Sequence, residues 1–268
     1  MSYSSDKNAV ITGAGSGIGR ALALQLNREG CRLELCDVDA AGLEQTLSLL
    51  PRPEISAHGE CVDVADPLAV AAWADGVADR RGHADIVVNN AGVGLVGTVR
   101  DNRPGDVEWL MGINFWGVVH GTRSFLPLLE ASPRGHLVNI SSVFGLIGVP
   151  SQSAYNAAKF AVRGYTEALR QEMAGTSVHV MCVHPGGIQT DIARRSRSSD
   201  PASTADDRDA RFKNLARTSA ETAAAKIISA IERRKARLLI GADAHYISLI
   251  SRLFPVSYPR FLPDLQDD

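Results

Sequence analysis

The 268-residue chain has no apolar run approaching the ~18 residues of a membrane-spanning helix. Its four cysteines, Cys31, Cys36, Cys61 and Cys182, contain no CxxC pair and no zinc-ligand spacing, and its seven histidines form no HxxxH or HExxH pattern. No metal site is therefore expected. Three of the cysteines fall in or near expected strands and read as buried, reduced thiols. No lysine/arginine tract is present and the net charge is −2, which speaks against a nucleic acid or other polyanionic partner. The opening residues MSYSSDKN lack the apolar core of a signal peptide, so a cytoplasmic protein is the expectation. Internal repeats and linkers are absent too. With 45% apolar residues, the whole of 1–268 reads as one domain, within the ~250-residue range that a single α/β domain commonly reaches.

What is present is alternation. Apolar strands are expected at 8–12, 32–36, 55–62, 85–89, 136–141, 177–184 and 237–241. Helical periodicity fills 20–29, 40–50, 67–81, 104–130 and 152–173. Repeated strand–helix units imply a parallel sheet of about seven strands with helices on both faces and ligands beyond the carboxyl ends of the strands.

Two local patterns carry chemistry. The first is the strand 8–12 followed by Gly13-Ala14-Gly15-Ser16-Gly17-Ile18-Gly19 and then a helix. This strand, glycine turn and helix make the opening unit of a dinucleotide-binding fold: glycine admits positive φ and close backbone approach, and the helix start offers N–H groups to phosphates. The pattern is TGxxxGxG rather than GxGxxG, because Ile18 stands where the third glycine would fall. The second is Tyr155 and Lys159, four apart and so on one helix face, thirteen residues after Ser142. A phenol titrates near ~10, and a neighbouring ammonium favours phenolate, which would fit Tyr155 for acid/base work. Ser142, at the end of a strand, can donate a hydrogen bond to a substrate oxygen. Ser141 is its rival, but reads as the strand's last residue.

With these motifs the sequence resembles the short-chain dehydrogenase/reductase superfamily over nearly its whole length. TGAGSGIG matches the cofactor turn, Asn89-Asn90-Ala91-Gly92 the NNAG segment, Asn114 in NFWG the helix asparagine, Ser142 and Tyr155-xxx-Lys159 the catalytic residues, and Pro185-Gly186-Gly187-Ile188-Gln189-Thr190 the PGxxxT segment. The resemblance implies a Rossmann-like, doubly wound fold and reversible hydride transfer between a secondary alcohol and a ketone. Tyr155 would be the acid/base. Ser142 would steady the substrate oxygen. Lys159 would lower the tyrosine pKa and hold the nicotinamide ribose, and Asn114 would position a water in a proton relay. Gly13, Ser16, Gly17, Ile18 and Gly19 would cradle the pyrophosphate. Asp63 and Val64 would flank the adenine, Asn90, Ala91 and Gly92 would floor the adenosine-side ribose, and Pro185, Gly186, Ile188 and Thr190 would shape the nicotinamide seat.

Asp37, directly after the second strand, faces the adenosine ribose in such a fold. A carboxylate there accepts from both ribose hydroxyls and repels a 2′-phosphate. The positions that are often basic in NADP-preferring relatives are Ser16 and Val38, and Arg20 lies too far along the helix to be an obvious clamp. NAD(H) is expected over NADP(H). Asp39, nearer the next helix, reads as its cap.

Substrate clues are coarser. Residues 93–96 and 143–149 are apolar and suit a lipophilic or bulky alcohol or ketone. NFWGVVHGT and the following FLP resemble a branch that includes steroid-handling enzymes. Residues 191–218 begin with a polar, charged stretch that reads as a mobile substrate lid. The extension 242–268 carries Tyr246, Ile247, Leu249, Ile250, Leu253 and Phe254 at helical spacing, fit to pack over the pocket or against a partner in a homodimer or homotetramer. His184, beside Pro185, reads as structural. Three alternatives stay open: an NADP(H)-dependent carbonyl reductase, a regulator that binds dinucleotide without turnover, and a methyltransferase. The last two give the Ser142/Tyr155/Lys159 set no purpose.

Overall fold

The computed structural model describes residues 3–200, 204–208, 210 and 216–262. Parts of the expected lid (201–203, 209, 211–215) and the end of the tail (263–268) lie outside the described residues. Strands β1 (Asn8–Thr12), β2 (Arg32–Asp37), β3 (Ala57–Cys61), β4 (Ile86–Asn89), β5 (His136–Ile140), β6 (His179–Pro185) and β7 (Arg237–Ile240) form one seven-stranded sheet. All its pairs are parallel, in the order β7-β6-β5-β4-β1-β2-β3. The strand order reverses between β1 and β4, and that crevice is where open α/β sheets bind ligands.

The helices are α1 (Gly17–Arg28), α2 (Ala40–Ser48), α3 (Pro67–Arg81), α4 (Pro104–Met111), α5 (Gly117–Glu130), α6 (Ser153–Glu172), α7 (Ala220–Glu232) and α8 (Ala242–Leu253). Alternate residues of the buried strands feed two cores, as a period of two requires. Ala9 and Ile11 of β1 pack with Leu22 and Leu26 of α1 and Ile227 and Ile231 of α7 on one face. Val10, between them, packs with Trp73 of α3 and Phe125 of α5 on the other. The Trp73 and Phe125 rings meet edge-on, centres 4.9 Å apart. None of the described helices is long and apolar enough to cross a membrane.

Three features differ from the sequence expectation. The helix expected over 104–130 is α4 and α5 joined by a π-helical turn, Gly112–Trp116, which contains Asn114. One extra residue per turn is a local defect that apolar periodicity does not reveal. The third strand is short and lies at the sheet edge, so Cys61 is exposed, whereas Cys31, Cys36 and Cys182 are buried; all four are free thiols. The stretch 191–200, expected to be mobile, is tied down. Arg197–Ser198 pairs with Leu95–Val96, and the Arg197 guanidinium lies 3.8 Å from the Trp109 ring centre and 2.7 Å from Asp106 Oδ1.

Polar contacts inside the molecule set the layers against each other. Asn89 Nδ2 donates to Asn139 Oδ1 (2.8 Å), and Asn139 Nδ2 donates to Thr166 Oγ1 on α6 (3.0 Å), all three residues being buried. Glu34, fully buried on β2, accepts from Arg80 Nη2 at 2.8 Å and Arg81 Nε at 2.7 Å. Removing one partner of a buried pair strands the other charges. Glu34→Ala is therefore expected to destabilise the fold by about 3 kcal/mol, at the low end of the usual range because Arg80 is one-third exposed. Urea unfolding at unchanged m-value tests this; a loss no larger than that of an exposed ion pair, below about 1 kcal/mol, would refute it.

Candidate active site

The carboxyl ends of β1, β4, β5 and β6 open into one cleft of about 1870 Å³, well beyond the ~300–1,000 Å³ of an ordinary ligand pocket and roomy enough for a dinucleotide with a second molecule. Its first wall is the glycine turn. Gly13 and Gly17 have φ of 67° and 52°, conformations that side chains resist. A Cβ on Gly13 would stand 2.8 Å from Ala91 Cα, because the turn lies directly on the NNAG segment. Thr12 Oγ1 accepts from the N–H groups of Asn90 (2.9 Å) and Ala91 (3.0 Å), and Asn90 Nδ2 donates back to the Thr12 carbonyl (3.0 Å). Asp39 caps α2, Asp66 caps α3 and Ser219 caps α7, but Ser16 gives α1 no side-chain bond. The first N–H groups of α1 thus face the cleft without a protein acceptor from the cap. That donor set and the glycine cradle fit a pyrophosphate.

At the far end, Asp37 is held in place by two backbone donors: Gly15 N on Oδ2 (2.8 Å) and Asp39 N on Oδ1 (2.9 Å). Both oxygens keep acceptor capacity toward the cleft. Arg20 is committed elsewhere, donating to the Gly15 carbonyl, the Gly42 carbonyl (3.1 Å) and Thr46 Oγ1 (2.9 Å). Arg195, which sequence reasoning passed over, lines this end and pairs with Asp39 at 3.3 Å.

Asp63, Val64, Asn90, Ala91, Gly92, Pro185, Gly186, Ile188 and Thr190 also line the cleft, with Ser16, Gly17 and Ile18. Two expected residues do not. Gly19 is buried behind the turn, where a Cβ would run into the Gly13 carbonyl; its contribution is close packing rather than contact. Asn114 is buried too, clamping Val93 by accepting from its N–H and donating to its carbonyl, both at 2.8 Å.

Ser142, Tyr155 and Lys159 are brought together. Ser142 begins a short turn after β5, and its hydroxyl is near enough to the Tyr155 phenol to favour the phenolate. Lys159 Nζ lies 5.7 Å from the Tyr155 ring centre and donates to the Ile140 carbonyl (3.0 Å). A Cβ on Gly92 would lie 3.3 Å from Asn114 Oδ1 and 3.5 Å from Lys159 Nζ, so these two groups flank the same glycine. Ser141 Oγ points away, donating to the Lys159 carbonyl (2.8 Å). Burial pushes the Tyr155 phenol up to about 12, against the pull of the Ser142 hydroxyl, and pushes the Lys159 ammonium down to about 8. Desolvation is thus the dominant influence on the phenol, the lowering expected from the Lys159 ammonium does not appear, and Tyr155 rests protonated at neutral pH.

Other residues complete the walls. Asn156, next to Tyr155 on α6, fixes the apolar loop by donating to the Phe144 and Ile147 carbonyls (2.9 and 2.7 Å) and accepting from Val149 N (3.0 Å). Its signal in the sequence was a polar residue on the buried face of an amphipathic helix. The extension turns inward: Asp243 accepts from Gly187 N (2.8 Å), the Tyr258 hydroxyl accepts from Gly148 N (2.8 Å), and Tyr246, Ile247 and Leu262 line the cleft. Leu249, Leu253 and Phe254 remain exposed.

Comparison with known proteins bears on the fold and the family. The family model described as short chain dehydrogenase matches residues 7–201. SadH of Mycobacterium tuberculosis is 47% identical over 264 residues, covering 98% of this chain and 96% of SadH. Dehydrogenase/reductase SDR family member 7B of Xenopus tropicalis is 32% identical, covering 97% and 85%. Among solved structures, a short chain dehydrogenase/reductase from Burkholderia phymatum in complex with NAD superposes with a TM-score of 0.86 at 31% identity, covering 94% of this chain and 95% of that one.

The contact between the glycine turn and Ala91 yields a direct test. Gly13→Ala combines a left-handed backbone with a backbone clash. It is expected to weaken NADH binding at least about tenfold, the equivalent of about 1.4 kcal/mol, in a fluorescence titration, with the far-UV circular dichroism unchanged. Wild-type affinity in this variant would show that the turn does not hold the dinucleotide.

Proposed function

The chain belongs to the short chain dehydrogenase family of nicotinamide-dinucleotide oxidoreductases, and from that footing we propose that it interconverts a lipophilic or bulky secondary alcohol and its ketone with NAD(H). The observation that carries the reading is that Ser142, Tyr155 and Lys159 line one dinucleotide-sized cleft, with the Lys159 ammonium 5.7 Å from the Tyr155 ring centre. Nicotinamide dinucleotide, when bound, supplies the hydride acceptor or donor.

The chain's own residues handle the proton and the oxygen. In reduction, Tyr155, protonated at rest, donates its hydroxyl proton to the substrate oxygen as charge develops there. In oxidation it accepts that proton. Ser142 donates its single hydroxyl proton in a hydrogen bond to the same oxygen when substrate is bound, and to the phenol oxygen when it is not. Lys159, still cationic at neutral pH, favours that phenolate electrostatically and would hold the nicotinamide ribose hydroxyls. Asn114 acts through Val93 and from beside Lys159, where it would position a relay water. Water is kept from the reacting atoms by Val143, Phe144 and Val149 on one side and by Tyr246, Ile247 and Leu262 of the extension on the other. These apolar walls favour a bulky, poorly hydrated substrate over a sugar acid. The edge-on contact of Phe144 with the Tyr155 ring, centres 6.0 Å apart, keeps the phenol aimed into the cleft.

NAD(H) is the proposed cofactor because the Asp37 carboxylate, oriented by two backbone donors, receives ribose hydroxyls and repels a 2′-phosphate. Arg195, the cation that lines this end, is engaged by Asp39. The Burkholderia phymatum relative holds NAD.

Two measurements test the proposal. With a panel of secondary alcohols and ketones followed at the NADH absorbance band, Tyr155→Phe is expected to lower kcat by about 10²–10⁴-fold while NADH binds as before; a variant keeping most of its turnover would refute the assignment. In parallel titrations NADH is expected to bind at least about tenfold more tightly than NADPH, and equal affinities would overturn the choice of cofactor.

A further inference from the structure

His184 is the last residue of β6 before Pro185, fully buried, and its Nδ1 lies 3.1 Å from the carbonyl oxygen of Ser142. A carbonyl only accepts, so Nδ1 carries the proton and the ring is a directed donor. Burial, opposed chiefly by the bond to the Ser142 carbonyl and reinforced by Arg237 and Arg163, pushes His184 down to about 4, so the ring is neutral and keeps this one tautomer at neutral pH. Its other nitrogen, Nε2, is buried without a partner. Such a group carries a desolvation cost that an aliphatic side chain would avoid, and this cost marks the Nδ1 bond as the ring's purpose.

The bond falls where the sheet stops supplying backbone donors. Ser141 N donates to the Val183 carbonyl (2.8 Å), but Pro185 has no N–H with which to carry the β5–β6 ladder further. Ser142 itself is in extended conformation (φ −163°, ψ 168°), just off the end of β5. Its remaining donors are local: Phe144 N on Oγ (3.1 Å) and Gly145 N on the carbonyl (3.0 Å). Both belong to the turn that Ser142 starts and move with it. The His184 ring is the bond that ties the Ser142 peptide to a different strand.

We propose that His184 is a positioning residue: it anchors the Ser142 peptide to β6 so that the Ser142 hydroxyl meets the substrate oxygen and the Tyr155 phenol together. This rests on the roles given to Ser142 and Tyr155 above. It predicts a separation of effects. His184→Leu removes the donor while keeping a side chain of comparable size. It is expected to lower kcat by about 100-fold, the scale on which small misplacements of reacting groups act. NADH affinity should be unchanged, and the kinetic pKa assigned to Tyr155 should move upward as its phenolate loses the Ser142 donor. His184→Asn places an amide N–H near the position of Nδ1 and should restore most of the turnover and the original pH profile. His184→Gln, whose amide sits one bond further out, should not.

A role in packing alone predicts otherwise: stability falls in all three variants while kcat and the pH profile stay at wild-type values, and that result overturns the proposal. If the leucine variant does not fold, the asparagine–glutamine pair decides: recovery in asparagine alone supports the anchor, and equal turnover in both refutes it. Ser142→Ala is the control for the underlying reading. Wild-type turnover in that variant would remove the role of Ser142, and the anchor with it, whereas a loss in Ser142→Ala with none in His184→Leu sinks the anchor alone.

Discussion

The site's geometry depends on how α6 is held against the end of β5. Tyr155 and Lys159 ride on that helix, and Ser142 leaves that strand. Their separation is therefore set by a helix–sheet contact, and apolar packing alone would let a helix slide or rotate. Polar contacts remove that freedom. Thr166 accepts from Asn139 at one point along the helix, the Lys159 carbonyl accepts from Ser141 at the next, Lys159 Nζ reaches the Ile140 carbonyl, and Asn156 takes hold of the loop beyond. Asn139, Ser141, Asn156, Lys159 and Thr166 are all buried, where an unmade bond carries a desolvation cost. A one-residue slip would break several at once, so one register is selected.

The same burial sets the electrostatics. Desolvation raises the phenol to about 12 and lowers the ammonium to about 8, moving the two groups apart on the pH scale and favouring the neutral form of each. In the resting protein the proton stays on Tyr155. In the reaction proposed above, what shifts is the hydrogen-bonding demand of the substrate oxygen, which Ser142 and Tyr155 would meet together. The dinucleotide end works on a different principle. There the proposed binding would rest on the backbone, through uncapped N–H groups and glycines that clear space, and Asp37, the residue proposed to meet the ribose, is itself oriented by backbone donors.

Much of this was legible in the residues. β1 could be read from an apolar run ended by glycine, and α6 from the spacing of its apolar face. Asp39 stood where a cap was needed and accepts from Gly42 N at 3.0 Å. The order of the glycine turn, NNAG, Ser142 and the Tyr155–Lys159 pair placed them at strand ends or in the helices that follow, which one parallel sheet brings to one edge. Other features left no local trace. Glu34 sits in an apolar strand and looks like an exposed edge residue until Arg80 and Arg81 of α3 close over it. Arg195 and Arg197 read as part of a solvated, mobile run, yet they find Asp39, Asp106 and Trp109 far away in the chain. The π-turn at Asn114 breaks no periodicity strongly enough to be seen.

By itself the sequence determined the parallel α/β architecture, the chemical character of the turn residues and the identities of the acid/base candidates, because periodicity, glycine conformation and side-chain chemistry are local properties. Only the tertiary structure decided which of two adjacent serines faces the phenol, that Gly19 and Asn114 stand behind the cleft rather than in it, that the extension closes the substrate side through Asp243 and Tyr258, and that burial dominates the titration of Tyr155 and Lys159. Those outcomes depend on distances between residues remote in the chain and on the exclusion of water, neither of which exists until the layers have packed.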